Sequence, residues 1–367
     1  MTDMVRAAVQ TGPGKIELRE YPRPPVGPDD GLLRVEANGI CGSDVETFRG
    51  HLGGPRPAFI PGHEPLGIIE EIGERAAERW GVQPGDRVAV EVIVPCRSCQ
   101  DCLTGRYQFC RHRKYGHGVT SVDTEPALWG GLAEHMYLSP TSVLHKMDKS
   151  LPAELAAMYN SLGAGVRWAC HLGEVQLGDT VLVLGAGQRG IACVVAARAA
   201  GAGTIIITGL AADAHKLAVA REFGADHTIV VDGDDAENTV ERVLAITDGA
   251  MADVALELTP LAAGPVSDAL LAVRQGGRVV LAGLKGQREI PVRTDLIINR
   301  ALTIRGAFGV DARGMADAIA LIESRRFPLE KMHTHTFGLD DAELAIRTLG
   351  GEVPGEHAIH VSVHPAR

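Results

Sequence analysis

Four cysteines fall within fifteen residues, and their spacing, C-x2-C-x2-C-x7-C, restricts the fold of this chain more than any other feature. Thiolates so close together in sequence are typical ligands of a single Zn²⁺, which they surround tetrahedrally. Because sulfur would occupy all four positions, such a site is closed to substrate. We therefore predict a structural zinc lobe over residues 95–111, against the alternative of four free or buried thiols. The four ligands are Cys96, Cys99, Cys102 and Cys110.

A second set of metal-binding residues lies upstream of the lobe. Cys41 is followed by Gly42-Ser43-Asp44, and His63 and Glu64 are adjacent. A thiolate, an imidazole and a carboxylate are good zinc ligands, and three protein ligands leave a fourth position open. Each residue alone is more often structural, but next to a zinc lobe the set predicts an open, catalytic zinc site.

A glycine-rich loop lies between an apolar strand and a helix. The run 181–184 leads directly into Gly185-Ala186-Gly187-Gln188-Arg189-Gly190. In a strand–loop–helix context this G-x-G-x-x-G pattern predicts a dinucleotide site, with the pyrophosphate at the helix N-terminus. The candidate cofactor-binding residues are Gly185, Gly187, Gln188, Arg189 and Gly190, and the alternative is a purely structural glycine turn.

The residues after the next strand leave the choice between NAD and NADP open. An acidic residue about 20 positions after the glycine loop normally binds the adenosine ribose. Gly209 stands there instead, the next acid is Asp213, and Lys216 could attract a 2′-phosphate. The alternative interpretation of Asp213 and Lys216 is a solvated helix start.

The local sequence pattern changes twice along the chain. Short apolar runs broken by Pro and Gly dominate up to about residue 150, and apolar strands then alternate with alanine-rich helices. The first pattern returns after about 298. Such alternation indicates a parallel sheet covered on both faces. We predict an α/β protein in which residues 1–153 and 298–367 form a β-rich catalytic domain, and residues 154–297 form an inserted doubly wound domain.

Together these motifs resemble the zinc-containing medium-chain dehydrogenase/reductase (alcohol dehydrogenase) superfamily over essentially the whole chain. The resemblance implies a GroES-like domain, a Rossmann domain and an active site in the cleft between them. It also implies that Cys41 and His63 bind the catalytic zinc, with Glu64 as ligand or exchangeable partner. The family has a further cysteine or glutamate where Asn160 stands here, so we expect Asn160 to hold a water or to contact substrate.

The same resemblance assigns roles to other residues. Ser43 would take the alcohol proton, and either Glu46 or His51 would pass it on, although both could be plain surface. Asp44 would hydrogen-bond His63 and fix its tautomer, against the alternative of a turn aspartate. Further expected contacts are the nicotinamide with Gly283 and Leu284, the cofactor phosphates with Arg305, and substrate with Trp129 and Tyr159, two residues that packing explains equally well.

These observations predict reversible hydride transfer between NAD(P) and an alcohol, which is oxidised to an aldehyde or ketone. Primary, secondary and polyol substrates all remain open. The alternatives are a zinc-independent quinone or enoyl reductase of the same superfamily and a non-catalytic zinc- or nucleotide-binding protein. A formal net charge of −10 disfavours nucleic acid as a partner. We also expect no membrane association, a cytoplasmic location and a homodimer or homotetramer.

Overall fold

A computed structural model describes residues 3–52, 54 and 56–367. By the contacts between its Cα atoms, the chain divides into two compact units. Unit 1 comprises Met1–Asn160, Ile319–Arg325 and His333–Arg367, and unit 2 comprises Ser161–Ala318 and Arg326–Met332.

The strands of the described residues are β1 (Met4–Gly12), β2 (Lys15–Pro22), β3 (Gly31–Ile40), β4 (Pro65–Ile72), β5 (Arg87–Val90), β6 (Ile93–Val94), β7 (Tyr115–Gly116), β8 (His135–Leu138), β9 (Leu144–Lys146), β10 (Thr180–Leu184), β11 (Thr204–Gly209), β12 (His227–Val230), β13 (Ala252–Glu257), β14 (Val273–Leu281), β15 (Thr303–Gly306), β16 (His333–Gly338) and β17 (His360–His364).

The α-helices are α1 (Gly42–Phe48), α2 (Glu74–Trp80), α3 (Gln100–Leu103), α4 (Ala153–Ala156), α5 (Tyr159–Val166), α6 (Gln188–Ala199), α7 (Ala214–Glu222), α8 (Thr239–Ile246), α9 (Gly264–Ala272), α10 (Thr294–Asn299), α11 (Ala312–Glu323) and α12 (Ala342–Leu349). A π-helix over Arg167–Leu172 continues α5. Within the part of the chain that the structure describes, no helix is both long and apolar enough to span a bilayer.

Unit 1 is built on a seven-stranded sheet. Its strands lie in the order β16-β17-β3-β4-β5-β9, and β8 pairs with β3. β3 pairs antiparallel with β4, β8 and β17, and one large apolar cluster packs residues of β1, β3 and α1 against α12 and β17. β3 therefore lies at the centre of the unit. Its last residue, Ile40, pairs with β17 and packs in the apolar cluster.

Unit 2 is a doubly wound parallel sheet. Its strands lie in the order β12-β11-β10-β13-β14-β15, and the five pairings between neighbouring strands are all parallel. The central strands are almost continuously apolar and buried, as expected for a sheet covered by helices on both faces. The predicted α/β fold class is confirmed.

The compact units divide the chain at other positions than the sequence analysis did. Residues 298–318 belong to unit 2 and not with the C-terminal β-rich segment. The reason is β15, which pairs with β14 and so extends the parallel sheet by one strand. Residues 154–160 belong to unit 1, where Tyr159 is fully buried. The limits of the two domains as functional units stay a prediction.

Unit 1 encloses several histidines that burial keeps neutral. Burial lowers the pKa of His117 to about 4 and that of His360 to about 3, and it lowers the pKa of His333 to about 4 against the opposing charge of Glu154. His117 Nε2 lies 3.0 Å from Ser142 Oγ, and the Nδ1 atoms of His333 and His360 lie 3.0 Å apart. A lowered pKa in the folded state means that the unfolded chain binds more protons below its own pKa of about 6.5.

We therefore expect stability to fall as the pH drops from about 6.5 towards 4, by roughly 1–3 kcal/mol per buried histidine. Urea unfolding of the zinc-loaded protein at a series of pH values measures this loss. The variant His117→Phe should show a smaller loss, because it lacks one of the buried imidazoles that take up a proton on unfolding. Ser142 keeps Ser139 as a hydrogen-bond partner in this variant. Replacement of the exposed His227 by Asn is the control, and an equal pH dependence in all three proteins would contradict the assignment.

Candidate functional site

The pairing of β3 with β4 brings Cys41 close to His63 and Glu64. In this antiparallel pair Asn38 lies opposite Pro65. Cys41 follows the end of β3 directly, while His63 and Glu64 immediately precede β4. The end of one strand and the start of the next therefore lie side by side, although the residues are more than twenty positions apart in sequence.

Asp44 orients the imidazole of His63 and also caps α1. Its Oδ2 accepts a hydrogen bond from the backbone N–H of Cys41 at 2.9 Å, which closes a capping box at the start of the helix. Its Oδ1 lies 3.0 Å from Nδ1 of His63. A proton on Nδ1 leaves Nε2 as the metal-binding nitrogen, and Nε2 lies 3.9 Å from Glu64 Oε1.

The donor atoms of Cys41, His63 and Glu64 all lie within 4.8 Å of one another. Cys41 and Glu64 are buried, and the side chain of His63 is 12% exposed. Burial opposes a charge on the imidazole, but the carboxylate of Asp44 and the thiol of Cys41 outweigh it and raise the pKa of His63 well above its ordinary value. One sulfur, one nitrogen and one carboxylate fit a zinc ion that keeps an open position.

The four-cysteine lobe connects two short antiparallel strands. β6 and β7 pair at Val94 and Tyr115, and the lobe is the loop between them. The Sγ atoms are 3.8 Å apart for Cys96 and Cys102, 3.5 Å for Cys99 and Cys102, and 3.9 Å for Cys99 and Cys110. A tetrahedron with Zn–S bonds of about 2.3 Å has edges of about 3.8 Å, so the four sulfurs fit one zinc ion.

Two of the lobe thiols differ in how readily they ionise. Hydrogen bonds, first of all from the Ser98 side chain, lower the pKa of Cys96 to about 5, whereas burial and the neighbouring thiols raise that of Cys102 to about 12. Tyr107, within the lobe, donates its hydroxyl to the buried carboxylate of Glu91 outside the lobe, which His145 also contacts at 2.7 Å. The pattern of cysteines gave no signal of this support.

The glycine loop has the geometry that a dinucleotide requires. It connects β10 to α6, whose N-cap is Gly187. A Cβ on Gly190 would lie 1.9 Å from the carbonyl oxygen of Gly185, so only glycine permits this approach of helix to strand. A Cβ on Gly187 would meet nothing within 4 Å. The loop therefore leaves open space at the helix N-terminus, where a pyrophosphate fits.

Around this loop, the other candidate cofactor residues are held by neighbours within unit 2. Gln188 is buried, and the guanidinium of Arg189 lies 5.3 Å from the ring of Trp168. After Gly209, the carboxylate of Asp213 accepts hydrogen bonds from the backbone N–H of Leu210 and from Lys216 Nζ, the latter at 2.7 Å. Lys216 is thus already paired with a carboxylate.

The two candidates for the proton outlet are hydrogen-bonded to each other. His51 Nδ1 lies 2.8 Å from Glu46 Oε2, and Arg49 donates to Glu46 Oε1. The side chain of His51 is 52% exposed. Ser43 Oγ lies 3.2 Å from Cys41 Sγ and 3.4 Å from His63 Nε2, which puts the hydroxyl next to the metal-binding atoms.

The remaining predicted residues have different surroundings. Asn160 is buried in the first turn of α5. The hydroxyl of Tyr159 donates to the carbonyl of Val90 at 2.7 Å, and Trp129 donates through Nε1 to Thr124, so packing accounts for both of these buried side chains. Arg305 donates to the carbonyl of Leu172 and forms an ion pair with Glu174. Its expected contact with phosphate stays a prediction.

Comparison with known proteins agrees with this geometry. The family description "Alcohol dehydrogenase GroES-like domain" matches residues 27–149, and "Zinc-binding dehydrogenase" matches residues 190–324. A Mycobacterium tuberculosis protein named "Probable alcohol dehydrogenase adh" is 42% identical over 99% of both chains. The chain belongs to the zinc-containing medium-chain dehydrogenase family. This confirms the resemblance found in the sequence, and with it oxidoreductase activity of the alcohol dehydrogenase type.

Other members of the family match over nearly the full length. An erythritol/L-threitol dehydrogenase of Mycolicibacterium smegmatis is 32% identical, over 99% of this chain and 98% of its own. The alcohol dehydrogenase TADH of a Thermus species superposes with a TM-score of 0.85 at 27% identity, covering 98% of this chain and 99% of its own. A Sinorhizobium meliloti structure described as a zinc-binding dehydrogenase bound to NADP has a TM-score of 0.84 at 27% identity, covering 99% of this chain and 100% of its own.

Sequence reasoning did not single out an ion pair at the carboxyl end of the parallel sheet. Lys285 Nζ lies 2.8 Å from Oε1 of Glu257, which is fully buried. A carboxylate that ends an apolar strand was a usable signal, because a buried charge requires a partner. Its partner could not be identified from sequence, since Lys285 lies 28 residues further along the chain, in the segment that follows β14.

The glycine loop offers a matched pair of substitutions. Gly190→Ala should destabilise the protein by roughly 1–3 kcal/mol, because its Cβ collides with the backbone. Gly187→Ala should leave the stability unchanged but weaken nucleotide binding at least about tenfold, since the methyl fills the space for the pyrophosphate. Thermal unfolding and titration with reduced nicotinamide nucleotide measure the two effects. Equal behaviour of the two variants would contradict this account of the loop.

Proposed function

We propose that this protein is a zinc-dependent alcohol dehydrogenase that transfers hydride reversibly between an alcohol and NAD or NADP. The observation that carries the proposal is the convergence of Cys41, His63 and Glu64 within 4.8 Å. Three dissimilar donors at one point fit a metal centre with an open position, and a closed structural site would not need them. The four-cysteine lobe supplies a second, structural zinc site in this proposal.

Each group has a defined part in the reaction. Zinc, when bound, supplies a Lewis acid that favours the deprotonated form of the substrate oxygen. The nicotinamide, when bound, accepts or donates the hydride. The chain itself holds the metal through Cys41, His63 and Glu64, while Asp44 keeps His63 in the tautomer that presents Nε2.

The proton leaves the alcohol through side chains of α1. Ser43 Oγ lies beside the metal-binding atoms and accepts this proton as it passes its own onwards. Glu46 lies three residues further along the helix and therefore on the same face. Its hydrogen bond to the half-exposed His51 joins the two alternative outlets into one path, Glu46 to His51 to solvent.

The neutral Asn160 bears on the substrate. Asn160 is buried and belongs to unit 1, as do the three donors, and its neutral amide would offer hydrogen-bonding groups to a hydroxyl-rich substrate. The Mycolicibacterium relative acts on erythritol and L-threitol according to its name, and a mouse relative, 32% identical over 92% of this chain, is named sorbitol dehydrogenase. We propose small polyols as the first substrates to test, ahead of simple primary and secondary alcohols.

The deciding experiment combines metal analysis with activity. The purified protein should contain two zinc ions per chain and reduce NAD or NADP in the presence of an alcohol. Cys41→Ser should lose one zinc and the activity together. Cys170→Ser, which replaces a thiol outside both metal groups, should keep both. Ser43→Ala should lower kcat by about 10²-fold with unchanged nucleotide affinity.

Other outcomes would identify the alternatives. If Cys41→Ser kept both its zinc and its activity, the three donors would not hold a catalytic metal. If the protein oxidised no alcohol but reduced quinones or enoyl compounds after chelation, it would be a zinc-independent reductase. Nucleotide and zinc binding without any turnover would indicate a binding protein.

A further inference from the structure

Glu257 and Lys285 form an ion pair at the point where the parallel sheet changes its winding direction. Glu257 is the last residue of β13, and its Cα partner on β10 is Leu184, which immediately precedes the glycine loop. In sheets of this kind the ligand lies outside the carboxyl ends of the strands, at this change of direction. The two charges are therefore built into the floor of the predicted dinucleotide crevice.

The pair is almost completely shielded from solvent. The side chain of Glu257 is fully buried and that of Lys285 is 12% exposed, with Nζ 2.8 Å from Oε1. Oε1 also accepts hydrogen bonds from the backbone N–H and the hydroxyl of Thr259. Oε2 is buried and has no hydrogen-bond partner among the described residues. A carboxylate with one satisfied oxygen depends on the ammonium for charge compensation.

The ion pair is connected to the backbone predicted to contact the nicotinamide. The carbonyl of Glu257 accepts a hydrogen bond from the N–H of Gly283 at 3.0 Å, and Lys285 Nζ donates to the carbonyl of Thr259 at 2.5 Å. A Cβ on Gly283 would lie only 2.2 Å from that same carbonyl oxygen. Lys285 follows Leu284 directly, so its charge lies one residue from the expected nicotinamide contacts.

We propose that the Glu257–Lys285 pair sets the electrostatic potential at the nicotinamide end of the crevice, and thereby the relative affinity for oxidised and reduced cofactor. The inference rests on the proposed function, because it requires a nicotinamide nucleotide in the glycine-loop site. The oxidised ring carries a positive charge and the reduced ring carries none. An ion pair at this position gives neither form of the cofactor a much higher affinity. A single unpaired charge, of either sign, raises the affinity for one form relative to the other.

The two single substitutions therefore act in opposite directions. Lys285→Met leaves the carboxylate uncompensated, which attracts the oxidised ring and should shift the ratio of the two dissociation constants towards the oxidised form by about tenfold. Glu257→Gln leaves the ammonium uncompensated and should shift the ratio about tenfold towards the reduced form. The double variant should return the ratio close to that of the wild type.

The test is direct titration of each protein with the oxidised and the reduced nucleotide, by calorimetry and by nicotinamide fluorescence, with melting temperatures measured in parallel. Arg274→Met is the matched control. Arg274 on β14 pairs with Asp253 on β13 at 2.6 Å, at the opposite end of these strands from Glu257 and Lys285. It should leave the ratio unchanged. Lys285→Met breaks a buried pair, which destabilises the fold. Lys285→Gln is therefore measured as a second variant: it removes the charge, its amide can still donate to Glu257, and it should shift the ratio in the same direction.

The outcomes separate the inference from the proposed function. Opposite shifts of the ratio in the Lys285 and Glu257 variants support the inference. Equal weakening of both nucleotides, or lowered melting temperatures with unchanged dissociation constants, would overturn it and leave a structural role for the pair. Failure of the wild-type protein to bind either nucleotide would instead overturn the proposed function.

Discussion

The antiparallel pairing between β3 and β4 is the constraint on which the candidate metal centre depends. It places the residue after one strand next to the two residues before the other. The same backbone path starts α1 at Cys41, where Asp44 closes the capping box and holds His63. One carboxylate thus connects the helix start to the imidazole. A loss of this contact would disturb both the helix and the ligand geometry.

In unit 2, the residues proposed to act on the nucleotide also lie close together. The change of winding direction between β10 and β13 leaves an opening at the carboxyl ends of the strands, and the glycine loop and the Glu257–Lys285 pair both lie there. Steric limits at Gly190 position the helix, and the ion pair places two compensating charges at the end of β13. The proposed anion binding at the helix N-terminus and the charge compensation at the strand end would therefore be separate contributions from neighbouring residues.

Local patterns in the sequence predicted the parts of the structure that depend on local chemistry. The alternation of apolar strands and helices predicted the parallel sheet, and the close spacing of four cysteines predicted that their sulfurs meet. Contacts between distant segments were harder. The membership of β15 in the parallel sheet depends on pairing with β14, which neither segment encodes alone. For the same reason the sequence presented Glu46 and His51 as alternatives, although the turn after α1 brings their side chains into a hydrogen bond.

The central claim is that Cys41, His63 and Glu64 hold one zinc ion, and anomalous X-ray scattering at the zinc edge tests it most directly. Crystals of the zinc-loaded, active protein should show two peaks per chain. One should lie among the four lobe sulfurs. The other should lie about 2.0–2.3 Å from Cys41 Sγ, His63 Nε2 and a Glu64 oxygen. A peak at the lobe alone, in protein that still oxidises alcohol, would contradict the account.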